Sequence, residues 1–81
     1  MDSQNKNAKI ELTDLELAVL KKDIAGEFFP PEATEEERKA LKSVIDKADK
    51  HCEDMDAYDE IGNSLMVWFL NQYEAQEAAG G

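Results

Sequence analysis

The chain has 81 residues and carries 19 acidic against 9 basic side chains, which gives a formal net charge of −10. A chain of this length forms one domain at most, and its charge disfavours direct contact with nucleic-acid phosphates and anionic membranes. The longest apolar run, residues 65–70, is far shorter than the roughly 20 residues that a membrane-spanning helix needs.

The single cysteine, Cys52, permits no internal disulfide, and the polar N-terminus lacks the apolar stretch of a secretory signal peptide. Both features favour a cytoplasmic protein. Because residues 1–11 are polar and show no periodicity, we expect them to form a disordered tail. A single helical domain is predicted over residues 12–74, followed by a frayed tail over residues 75–81.

The first helix is predicted over residues 14–25. Thr13 and Glu16 have the spacing of a capping box, and Gly26 is suited to ending the helix. Its apolar residues are predicted to fall on two sides, one with Leu17, Leu20, Ile24 and Phe28 and the other with Leu15 and Val19. Such a helix is central in its domain or has a second contact to cover.

Two phenylalanines and two prolines follow the first helix. Consecutive prolines favour extended backbone, so the pattern predicts a stiff, extended connector at Pro30 and Pro31. We expect Phe28 and Phe29 to close the end of the core. The alternative is that they form an exposed docking peptide in an acidic tract.

The second helix is predicted over residues 35–52, with Thr34 and Glu37 as a second capping box. Its apolar residues recur at helical spacing on one side, so the helix should pack through a single face. We expect Leu41, Ile45 and Ala48 to lie in the core.

The third helix is predicted over residues 57–73, with Asp54 or Asp56 as its cap. Tyr58 and Ile61 would begin its apolar stripe. Its middle is apolar nearly all round, and two short helices cannot easily cover such a surface. The pattern therefore predicts a contact with a partner protein or a second copy of the chain. The residues assigned to this contact are Met66, Phe69, Leu70 and Tyr73.

Neither catalytic nor metal-binding residues are predicted. His51 and Cys52 point about 100° apart on a helix, and the chain has no second histidine or cysteine for a zinc site. The acids at 54–60 depart from a calcium-binding loop at three positions. The stretch from Gly62 to Leu65 resembles the attachment motif of acyl carrier proteins, but Asn63 stands where that family has aspartate before the modified serine. No cofactor is expected.

The predicted fold is all-α: a small three-helix bundle with short connections, with room for one extra short helical turn. The predicted function is that of a non-enzymatic, acidic protein-interaction module, accessory or regulatory, with possible self-association. The alternative is an acidic inhibitor that imitates nucleic-acid charge and blocks a basic site on a partner protein. Apolar docking should tolerate salt, whereas charge mimicry should weaken steeply as salt is added.

Overall fold

A computed structural model describes residues 9–80 and contains three helices: α1 (Asp14–Ile24), α2 (Glu35–Met55) and α3 (Leu65–Gly80). The predicted all-α three-helix architecture is confirmed, and no strand is present between residues 9 and 80. Each helix contacts both of the others. Within the same residues, no helix is both long enough and apolar enough to cross a membrane.

Helix α1 begins and ends where its capping residues predict. The Glu16 N–H donates to Thr13 Oγ1 at 3.1 Å, and the Thr13 N–H donates to Glu16 Oε1 at 2.9 Å. At the other end, Gly26 adopts φ +75°, and the Glu27 N–H donates to the Lys22 carbonyl at 2.8 Å. This left-handed C-terminal motif favours glycine, which has no side chain to clash.

Helix α2 has the predicted capping box at Thr34 and Glu37 but runs three residues beyond the predicted end. Asp56 then adopts the left-handed conformation with φ 53°, and the Ala57 N–H donates to the Cys52 carbonyl at 3.0 Å. The C-terminal motif of α1 is therefore repeated, with aspartate in place of glycine.

The predicted start of α3 near residue 57 is wrong. Asp56 ends α2 instead of starting the next helix, and residues 57–63 form a loop that contains Tyr58 and Ile61, with a turn at residues 58–60. Ser64 is the actual cap, because its Oγ accepts the Val67 N–H at 3.3 Å. Helix α3 therefore begins at Leu65. It continues to residue 80 and so includes residues 75–80, for which the sequence predicted a frayed tail.

The segment before α1 belongs to the domain, which corrects the C-terminal limit of the predicted disordered tail. Residues 1–8 of that predicted tail, together with Gly81, lie outside the described residues. Ile10, in contrast, is only 5% exposed. Its N–H donates to Gln76 Oε1 and its carbonyl accepts from Gln76 Nε2, both at 2.7 Å. Residues 9–12 therefore pack beside α3 and contribute to the core.

The core is small and draws on every element. Its central cluster consists of Ile10, Leu20, Val44, Ala48 and Phe69, surrounded by half-buried Leu12, Ile24, Leu65, Met66, Trp68, Leu70 and Tyr73. Ala48 is buried as predicted, but Leu41 is half-buried and Ile45 is 43% exposed. The buried face of α2 is centred on Val44 instead, because α1 contacts α2 through Ser43 and Lys47 on the side away from Ile45.

Helix α1 packs against both other helices. Val19 and Leu20, which come from the two predicted apolar sides, are both fully buried, while Leu15 is exposed. Both predicted apolar sides of α1 therefore have a residue buried within the domain.

Candidate functional site

The predicted partner surface on α3 is largely covered by the domain itself. Phe69 has no exposed surface, which corrects its assignment to a partner contact. Met66, Leu70 and Tyr73 are half-buried and pack against the core cluster. Ile10 and Leu12, from the segment before α1, add to the core beside α3, and the sequence pattern did not count them among the residues that cover this helix.

His51 is buried beside the aromatic residues of α3. Its ring centroid lies 5.6 Å from that of Trp68 and 5.9 Å from that of Phe69. Burial lowers the pKa of His51, against an opposing effect of the Asp54 carboxylate. The fold therefore favours the neutral imidazole. The helix predicted over residues 35–52 would end just after His51, but α2 continues to Met55.

A cleft of about 380 Å³ runs beside His51, along the C-terminal half of α2. Ile10 and Phe69 supply its apolar lining. Two of the lysines that line it are already paired: Lys47 Nζ lies 2.8 Å from Glu16 Oε1, and Lys50 Nζ lies 3.6 Å from Asp54 Oδ1. Among residues 9–80, no group of three or more histidine, cysteine or acidic side chains is placed to hold a metal ion.

The two side chains with nucleophilic potential have structural positions. Cys52 is buried, and burial together with its acidic neighbours raises the pKa of its thiol. A thiol with a raised pKa is a poor nucleophile at neutral pH. Ser64 is half-buried, and its hydroxyl caps α3.

The connection between α1 and α2 presents an aromatic side chain on a tight turn. We refer to residues 28–33 as the Phe29 turn. The N–H groups of Glu32 and Ala33 donate to the Phe29 carbonyl at 2.9 and 3.0 Å, and Arg38 Nη1 donates to the Pro30 carbonyl at 3.0 Å. The predicted extended connector is therefore wrong. Phe28 is half-buried, but Phe29 is 58% exposed and does not close the core.

A hollow of about 140 Å³ lies beside the Phe29 turn, lined by Lys22, Glu27, Phe28, Phe29, Glu32, Ala33 and Glu37. Lys22 Nζ pairs with Glu37 Oε2 at 3.2 Å. Hydrogen bonds from the Thr34 backbone and from Lys22 lower the pKa of Glu37. The exposed carboxylates of Glu27 and Glu32 complete an acidic rim. Between residues 27 and 37 there are five glutamates and no basic residue.

Tyr58 is the other strongly exposed aromatic residue, at 54%, in the loop between α2 and α3. Its hydroxyl donates to Asp49 Oδ1 at 2.9 Å, and this bond raises the pKa of Tyr58 to about 12. Tyr58 is therefore tied to its own domain, whereas the ring of Phe29 has no polar group to satisfy. This difference makes Tyr58 a useful control for Phe29.

No protein-family model matches the sequence, and neither do the curated proteins or the solved structures with which it was compared.

Proposed function

We propose that the chain is a non-enzymatic protein-interaction module that contacts its partner through the Phe29 turn. The observation that carries this proposal is the exposure of Phe29, the highest among the large apolar side chains of residues 9–80. Buried aromatic anchors contribute a large share of the binding energy at protein interfaces. An aromatic ring left in water by its own domain is suited to that role.

The turn also holds Phe29 in a fixed position before any partner arrives. Pro30 and Pro31 restrict the backbone, and the Arg38 side chain holds the Pro30 carbonyl. A turn whose backbone is already ordered loses less conformational entropy on binding, so more of the contact energy of Phe29 appears as affinity.

The Phe29 turn is favoured over the α3 surface as the main contact. Self-association through Met66, Leu70 and Tyr73 would use side chains that already pack against their own core. The free, buried Cys52 is compatible with a reducing compartment, so the proposal includes a cytoplasmic location.

Site-specific photo-crosslinking tests the proposal. The full chain is made with benzoylphenylalanine at position 29, and in a matched protein at position 58, and both are irradiated in an extract of the source organism. We expect one partner to be crosslinked from position 29 and not from position 58. With that partner purified, Phe29→Ala should weaken binding at least about 30-fold, while Tyr58→Ala should leave it nearly unchanged.

The same measurement separates this proposal from charge mimicry. An inhibitor that imitates phosphate charge would bind through its carboxylates, so Phe29→Ala would retain wild-type affinity at every salt concentration. That result, or equal crosslinking from both positions, would reject the Phe29 turn as the contact.

A further inference from the structure

We infer that the partner inserts an arginine or lysine side chain into the hollow beside Phe29. This inference rests on the proposed function, and it specifies the chemistry of the partner: a protein surface with a basic side chain next to an apolar pocket that receives the Phe29 ring.

The charges around the hollow favour a cation from outside the domain. Lys22 is paired with Glu37, and the guanidinium of Arg38 is directed to the Pro30 carbonyl. Within residues 9–80, no lysine or arginine lies at salt-bridge distance from Glu27 or Glu32. Two carboxylates at one small hollow therefore remain available to a cation from outside the domain.

The walls and the size of the hollow suit a single cationic head group. Phe28 and Phe29 line it together with the carboxylates, and a cation is attracted to an aromatic face as well as to an anion. Its volume of about 140 Å³ is well below the roughly 300–1,000 Å³ of pockets that enclose drug-sized molecules. The hollow is therefore suited to one side-chain head group. Arginine fits best, because its planar guanidinium stacks on rings and donates to two carboxylates at once.

Further acidic residues lie next to the turn. Glu35 and Glu36 extend the acidic rim onto the first turn of α2, and the pair that Glu35 forms with Lys39 is long, at 3.6 Å, with both side chains about three-quarters exposed. Exposed pairs of this kind neutralise little charge. A negative field at the contact attracts a basic partner and speeds its association at low salt.

Binding kinetics with the crosslinked partner test the inference. The variant Glu27→Gln/Glu32→Gln removes two exposed carboxylates at the hollow. Its matched control, Asp59→Asn/Glu60→Gln, removes two exposed carboxylates from the loop that contains Tyr58. At about 0.01 M salt, where the Debye length is about 30 Å, we expect the hollow variant to bind at least about 5-fold more weakly and the control to stay within about 2-fold of the wild type. At about 1 M salt the difference should shrink, because the Debye length falls to about 3 Å.

A double-mutant cycle then identifies the side chain that enters the hollow. The basic residue nearest the crosslink is changed to glutamine in the partner and combined with Glu32→Gln. We expect the combined loss to be several-fold smaller than the product of the single losses, as for residues in direct contact. A combined loss of affinity equal to the product of the single losses would overturn the inference. A crosslinked segment without arginine or lysine would also overturn it. If Phe29→Ala weakens binding while the hollow variant behaves like its control, the inference alone fails. If Phe29→Ala has no effect, the proposed function fails.

Discussion

Glu16 of α1 and Lys47 of α2 form an ion pair across the helix interface, with Oε1 and Nζ 2.8 Å apart. The same carboxylate accepts the Thr13 N–H in the capping box and the Ser43 hydroxyl at 2.6 Å. The Glu16 side chain is only 9% exposed. One buried carboxylate thus begins α1 and joins it to α2, and each of its hydrogen bonds offsets part of the cost of its burial.

Replacing Glu16 tests this double role. Glu16→Gln keeps the shape but removes the charge, and we expect it to lower the free energy of unfolding by about 2 kcal/mol, because Lys47 is partly exposed and can recover water. Urea denaturation provides the measurement. Glu37→Gln is the control, since Glu37 holds the same position in the capping box of α2 but lies nearer the surface. Equal losses in the two variants would contradict a special role for Glu16.

Acid should remove the contribution of the Glu16 carboxylate to the free energy of unfolding. Burial alone would raise its pKa, but hydrogen bonds from Lys47, Ser43 and Thr13 outweigh burial and lower it from 4.5 to about 2. Because the folded pKa is depressed, the stabilisation is fully present above about pH 4.5 and is lost as the pH falls towards 2. It amounts to roughly 3 kcal/mol at most. Urea midpoints at pH 6 and pH 2.5 should therefore differ less in Glu16→Gln than in the wild type.

Protonation of His51 should change the free energy of unfolding at a higher pH than protonation of Glu16 does. Its pKa is lowered by burial, so the unfolded chain takes up a proton before the folded one does. The folded state is therefore favoured above the ordinary value of 6.5 and loses stability as the pH falls through the lowered pKa. Since His51 is the only histidine, NMR of the folded protein should show a single imidazole titrating below pH 6.5. His51→Phe should abolish the stability change in this range. A titration at or above 6.5 would contradict the burial argument.

The left-handed residues that end α1 and α2 form a second matched pair. Asp56→Gly should raise the free energy of unfolding by roughly 0.5–1 kcal/mol, because glycine adopts this conformation without a steric cost. Gly26→Ala should lower it by a similar amount. A Cβ at position 26 would have no atom within 4 Å, so only backbone strain should act there. If urea titrations showed that both substitutions change the free energy of unfolding in the same direction, contacts other than the left-handed backbone would dominate.

Adjacent residues of α2 test which face is buried. Val44 has no exposed surface, so Val44→Ala should cost about 2 kcal/mol through lost burial and the cavity that remains. Ile45→Ala removes a larger side chain but from an exposed position, and we expect it to cost under about 1 kcal/mol. A greater loss at Ile45 would restore the face that the sequence predicted.

The features that could be predicted from the sequence are those set by residues close together in the chain. The capping boxes at Thr13 and Thr34 each depend on a partner three residues away, and Gly26 needs no neighbour to favour a positive φ. Asp56 shows the limit of this approach. Aspartate caps the start of a helix and also tolerates the left-handed conformation, so its type alone does not decide whether it starts one helix or ends another.

Which side chains are exposed depends on contacts between residues far apart in the chain, and local sequence patterns do not contain this information. The burial of Phe69 and the half-burial of Leu70 reflect a core to which Ile10 contributes from 59 or more positions away in the chain. The Phe-Phe-Pro-Pro pattern does not reveal which ring faces water, because the turn is held partly by the Arg38 side chain. The acidic rim was visible in the sequence, but its meeting with an exposed aromatic residue required the folded arrangement.

The two hydrogen bonds between Ile10 and Gln76 have a consequence for folding and for local opening. They join residues 66 positions apart, and closing a flexible loop of that length costs about 4 kcal/mol in chain entropy. This contact should therefore form late in folding, after the helices have shortened the distance between the ends. Once formed, it couples residues 9–12 to the last turns of α3, so the amide of Ile10 should exchange with solvent deuterium only when this contact opens. The two ends of the domain then open as one cooperative unit.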